Sequence, residues 1–258
     1  MKSVLAVALV LAYFLFGTQT AFSPPCSAEA KTAASFRQSN RESSWMKTLV
    51  RAYRDCKGNA PPPPVKFRTK REEKRWLDER YQHAAPGLIE GAALAYYSGL
   101  HFDADEAVAR LRQTVDLLAS GKGPPFDFET DPLDSLPYVL KDLYARTGVK
   151  SALRMLVEIR LDTAPGESLT EVRFPMFLDN PAIFVDALSD TGHHWVRKSA
   201  RSFTDELIFL LPYDKSLMKK ARYWLKHYAS ASTASEKFLR RYFDFVLIQA
   251  GHIKKTAG

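Results

Sequence analysis

The sequence predicts an all-α protein of stacked antiparallel helix pairs, an irregular α-solenoid array, on three observations. Apolar residues recur every three or four positions through much of the 258-residue chain, most regularly from Leu136 to Asp190, and that is the helical period. Prolines fall mostly between the periodic stretches, as helix punctuation. No series of apolar, alternating segments is joined by Asn-Gly or Asp-Gly turns, which disfavours a β architecture. About nine or ten helices of ordinary length are expected.

Residues 1–30 have the form of a signal peptide. Lys2 supplies the positive start, and Val4–Phe16 is an apolar run too short to span a bilayer comfortably. Cleavage sites are offered after Ala21 and in the A-x-A form Ala28-Glu29-Ala30. Ser23-Pro24-Pro25-Cys26 lacks the aliphatic residue of a lipoprotein signal. The protein is therefore expected to be exported, to a periplasmic or extracellular location. If Cys26 survives the cut, it has Cys56 as a partner in an oxidising compartment; otherwise Cys56 stands alone as a buried thiol, a reactive thiol or a dimer link.

Residues 31–64 are expected to be a flexible N-terminal segment. It holds one short helix, with Trp45, Leu49 and Tyr53 on one face, and the stiff linker Pro61–Pro64. The all-helical domain is expected over 65–258, and a chain from Val65 onward is expected to fold by itself. That domain opens on the basic stretch Lys66–Trp76. As a site this stretch is an anion-binding arm; as structure it is a solvated helix face with Glu72 and Glu73 paired to nearby bases, the preferred reading.

The helix over Pro86–Ser98 is rich in glycine and alanine, which lets a second helix approach closely. Glu90 inside it is a candidate general acid only if it lies among apolar neighbours, and a helix-edge position facing water is the alternative. Asp103 and Glu106 match a capping box for the helix Asp103–Ser120, whose stripe is Ala104, Val108, Leu111, Val115 and Leu118. In the irregular stretch Gly123–Asp134, Asp127, Glu129 and Asp131 alternate like the opening of an EF-hand loop. Pro132 and Tyr138 stand where that loop needs Gly and a bidentate Glu, so the EF-hand is rejected. Acids that complement the dipole of the next helix explain the pattern better than a looser calcium site.

Helices are then predicted over Leu136–Gly148, Val149–Leu161, Glu167–Leu178 and Pro181–Leu188. Gly148 ends the first, and Asp179-Asn180-Pro181 starts the last. Gly192–Leu211 follows, stopped by Pro212. Adjacent His193 and His194 diverge by about 100° on a helix and cannot readily grip one metal. His83, His101, His227 and His252 are scattered and read as structural or surface residues, so no metal site and no cofactor is expected. No H-E-x-x-H, G-x-S-x-G or phosphate-binding glycine loop occurs. The pair-to-pair spacing over 136–250 resembles that of HEAT and armadillo repeats in architecture, at about forty residues, without their consensus.

Net charge is +8 but unevenly laid out: +7 over residues 1–100, −7 over 101–191 and +8 over 192–258. Such asymmetry bears on partners rather than fold. In Asp214–Tyr228 a buried face is expected at Leu217, Ala221, Trp224, Leu225 and Tyr228. Lys215, Lys219, Arg222 and Lys226 form a second stripe, the candidate binding site. Thr233–Glu236 opens the last helix with a capping box. The expected function is that of a non-enzymatic binding or adaptor protein of the cell envelope or exterior, using this basic surface on an acidic partner. An acidic protein, an anionic envelope polymer, a lipid surface and the acidic middle of a second copy are the partners weighed; a nucleic acid is not expected behind an export signal. The alternative is an exported hydrolase using Glu90 or the Asp127–Asp134 acids.

Overall fold

A computed structural model of the chain describes residues 26–56, 61–84, 87–121, 131–161, 163–189 and 196–256. They contain eleven α-helices, one 3-10 turn and no strand. The helices are α1 (Cys26–Asp55), α2 (Lys70–His83), α3 (Ile89–His101), α4 (Ala104–Ala119), α5 (Leu136–Thr147) and α6 (Lys150–Glu158). Then follow α7 (Thr163–Asp179), α8 (Pro181–Ser189), α9 (Val196–Leu210), α10 (Lys215–His227) and α11 (Ala234–Thr256). The expected leader, apart from Cys26–Ala30 in α1, lies outside the described residues, and so do His193, His194, Asp127 and Glu129. Among the described residues no helix is long and apolar enough to cross a membrane.

The ends of the helices follow the predicted punctuation. The Asp103 carboxylate accepts from the Glu106 amide at 3.0 Å and starts α4. Gly148 closes α5 in the left-handed conformation, φ 71°, which costs glycine little and other residues more. The small-residue helix α3 begins at Ile89, later than predicted, because Gly87 before it is itself left-handed, φ 84°.

The chain divides into two compact units, 1–44 and 45–258. Of the first, residues 26–44 are described and belong to α1. In the second, α3 packs on α4, α5 on α6, α7 on α8 and α10 on α11. Contacts also run in succession through α2, α3, α5, α7 and α10. A second succession joins α4 to α6, α6 to α8 and α9, and both of these to α11. Leu94, Leu111, Leu140, Leu143, Leu153, Phe174 and Phe243 are fully buried in the common core.

The second unit begins at Trp45, within the segment 31–64 that the sequence reading set apart from the helical domain. Trp45, Leu49 and Tyr53 recur every four residues, so one helix face carries all three, and all three are buried. The Trp45 ring meets Trp76 at 5.4 Å and Tyr97 at 5.9 Å. Tyr53 meets Tyr96 edge-on at 6.1 Å. The polar tips are satisfied as well: Trp45 Nε1 donates to the Pro61 carbonyl and the Tyr53 hydroxyl to the Pro132 carbonyl, each at 2.8 Å.

Candidate functional site

The predicted site lies on α10, and its orientation is fixed from below. The Asp214 carboxylate caps the helix, accepting from the amides of Ser216 at 2.8 Å and Leu217 at 3.0 Å. Leu217, Ala221 and Tyr228 are buried. Trp224 donates its indole N–H to the Leu178 carbonyl at 2.5 Å, and Lys220 pairs with Asp179 at 2.5 Å, both on α7. With that face pinned, Lys215, Lys219, Arg222 and Lys226 are all exposed on the predicted stripe.

After the 3-10 turn Tyr228–Ser230, the chain enters α11 through the predicted capping box. Glu236 accepts from the amides of Ser232 and Thr233, each at 3.0 Å, while the Thr233 hydroxyl accepts from the Glu236 amide at 3.2 Å. The hydrogen bonds to the Thr233 and Ser232 amides pull the Glu236 carboxyl down from an ordinary 4.5 to about 2. Leu239, Phe243, Val246 and Ala250 bury one side of α11. Arg240 donates to the Ala229 carbonyl at 3.0 Å, tying α11 back to the turn.

Between α10 and α11 lies a groove of about 610 Å³, lined by Arg222, Leu225, Lys226, Ala229, Lys237, Arg240, Arg241 and Asp244. The structure thus brings Arg222 and Lys226 together with three further cations against one carboxylate. Lys215 and Lys219 continue the stripe along α10 but do not line the groove. Lys237, Arg240 and Arg241 were missed by the sequence reading because they belong to the next helix. Their spacing of three and four was the available signal, placing them on one face of α11. A basic, open groove of this kind holds anionic groups by charge and by guanidinium hydrogen bonds.

The other candidates resolve differently. In Lys66–Trp76 two of the six bases are paired: Lys70 meets Glu73 at 2.8 Å, and Lys74 meets Asp78 at 3.2 Å and Glu106 at 2.8 Å. Arg110 completes the cluster through Asp78 at 2.6 Å and through Glu106. This network ties α2 to α4; Glu73 has a base as its partner, whereas Glu72 accepts from the Arg68 backbone amide at 2.9 Å. Glu90 is exposed in the first turn of α3, the helix-edge position. Asp131 accepts from the Leu133 amide at 2.8 Å, and burial raises its carboxyl above the ordinary value.

Burial lowers the His101 imidazole below its ordinary value, with Lys70 acting in the same sense, and its ring lies 4.3 Å from that of Tyr97. Cys56 is a free thiol; pairing with Cys26 rests on a side chain outside the described ones. Burial first, then Asp142 and Asp55, push the Cys56 thiol up to about 12, which disfavours the thiolate a nucleophile needs. Among the described residues no group of three or more His, Cys, Asp or Glu side chains is placed to hold a metal. Compared with known families, curated proteins and solved structures, the chain matches no family model, no curated protein and no solved structure.

Proposed function

We propose that this is an exported, non-enzymatic helical binding or adaptor protein that holds an acidic partner on the α10–α11 surface. One observation carries the reading: five cations, Arg222, Lys226, Lys237, Arg240 and Arg241, line one groove against a single acid, Asp244. Lys215 and Lys219 extend the positive surface beyond it. Export rests on the pattern of residues 1–30, and location in the periplasm or outside the cell follows from it. The two successions of helices, α2-α3-α5-α7-α10 and α4-α6-α8/α9-α11, support an irregular α-solenoid of the HEAT or armadillo kind, a form that offers extended binding surfaces.

The test is binding of fluorescent polyglutamate, a soluble polyanion, by anisotropy. The parent protein is expected to bind. Affinity should fall as salt shortens the Debye length from about 10 Å at 0.1 M toward 3 Å at 1 M. The variant Lys215→Glu/Lys219→Glu/Arg222→Glu/Lys226→Glu should lose binding while keeping its melting temperature, since all four side chains are exposed. Equal binding by parent and variant would remove these residues from the site.

A further inference from the structure

We propose that the acidic partner is the surface of an anionic lipid bilayer, on which α10 and α11 lie flat. The inference rests on the acidic-partner reading above and adds what the groove's flanks contribute. On α11, Phe238, Phe245 and Ile248 stand at positions −3, +4 and +7 from Arg241, so all four share one stripe. Phe238 is 53% exposed, and Phe245 and Ile248 are each 51% exposed. On α10, Tyr223 stands three residues before Lys226 and four after Lys219 and is 58% exposed. The surface therefore runs from tyrosine on one side, through a trough of cations, to phenylalanine and isoleucine on the other.

That order fits a leaflet better than the competing occupants. A polar acidic chain seated in the trough neutralises the cations but leaves the flanking rings in water. A second copy meeting this face through a two-fold axis would set cations against cations. In an anionic leaflet the phosphates meet the trough, while rings on both flanks enter the boundary between head groups and acyl chains. This is the arrangement of an interfacial amphipathic helix, whose strength comes from apolar burial and attraction to acidic lipid together.

The experiment is co-sedimentation of the full 258-residue chain with two sets of vesicles. One is phosphatidylcholine alone, and the other is one part phosphatidylglycerol to two parts phosphatidylcholine. The apolar stretch Val4–Phe16 binds either set, so the readout is the preference for anionic over neutral vesicles. The parent is expected to prefer the anionic set by about ten-fold or more, since each basic residue near the surface adds about five-fold. Lys237→Gln/Arg241→Gln should remove most of that preference, since two such residues together account for about 25-fold on the same scale. Phe245→Ser/Ile248→Ser, which leaves every groove cation in place, should weaken binding to the anionic set about ten-fold.

Binding to the anionic set unchanged in Phe245→Ser/Ile248→Ser overturns the proposal. If that variant instead turns a sedimenting dimer into a monomer with vesicle binding unaltered, the stripe joins copies and the proposal also falls. Polyglutamate binding by the parent with no preference between vesicles rejects the lipid surface and leaves the acidic-partner reading standing. Failure to bind polyglutamate together with no preference between vesicles removes both.

Discussion

Glu236 shows how hydrogen bonding, rather than burial, strongly displaces a carboxyl. Its oxygen collects the amide hydrogens of Ser232 and Thr233 that would otherwise be unpaired at the start of α11. Because the folded value is depressed, to about 2, its contribution to stability is present above the ordinary 4.5 and is lost as pH falls from 4.5 toward 2. Glu236→Gln is therefore expected to melt below the parent at neutral pH, with the gap closing through that window. Thermal melts above, within and below the window check this; a gap independent of pH would show that the charge is immaterial. The reciprocal box was legible in the sequence because Thr233 and Glu236 are three residues apart. The ion pair between Arg173, buried on α7, and Glu206 on α9 was not, because nothing local announces a partner on another helix.

At the level of helices, α3 and α4 approach each other as its small residues predicted, but two of its glycines contribute unequally. A Cβ on Gly99 would lie 2.7 Å from Ala107 Cβ on α4 and 2.9 Å from Leu143 Cδ2 on α5. A Cβ on Gly91 would meet Ala84 Cβ at 3.8 Å, an ordinary contact. Gly99→Ala is thus expected to destabilise by about 1–3 kcal/mol through overpacking. Gly91→Ala should stabilise by about 0.5–1 kcal/mol through helix propensity. Urea unfolding of the two variants decides it, and equal effects would mean that the α3–α4 approach is looser than drawn. The sequence showed which helix was built for close approach. It did not show which glycine sits at the crossing, since that depends on the register of α4 and α5 against it. The groove was half legible for the same reason: a stripe on α10 is periodic, but its opposite wall on α11 appears only once the turn at Tyr228–Ser230 sets the two helices side by side.

For the whole molecule, the positions of the helices were readable and the extent of the folded unit was not. Apolar period and caps place α4 to α8 within a few residues. The aromatic face of α1 packs on rings far along the chain, at Trp76, Tyr96 and Tyr97, and reaches the Pro132 carbonyl. A chain beginning at Val65 loses Trp45, Leu49 and Tyr53 from the core, where a large-to-small change at one such site already costs about 2–5 kcal/mol. It is expected to lose its cooperative melt, whereas a chain beginning at Glu42 should keep it. Calorimetry of the two truncations checks this, and a sharp transition in the shorter one would return the boundary to 65.

The Tyr53–Pro132 hydrogen bond spans 79 residues, and that interval is also a length of time. A ribosome adds roughly 5–20 residues per second, so roughly 4–16 seconds separate the appearance of the tyrosine from that of its acceptor. Through that interval Trp45, Leu49 and Tyr53 lack the Pro132 segment that completes their seat. The newborn protein therefore carries an incompletely covered aromatic face until the Pro132 segment is made, an interval in which a holding chaperone has something to grip.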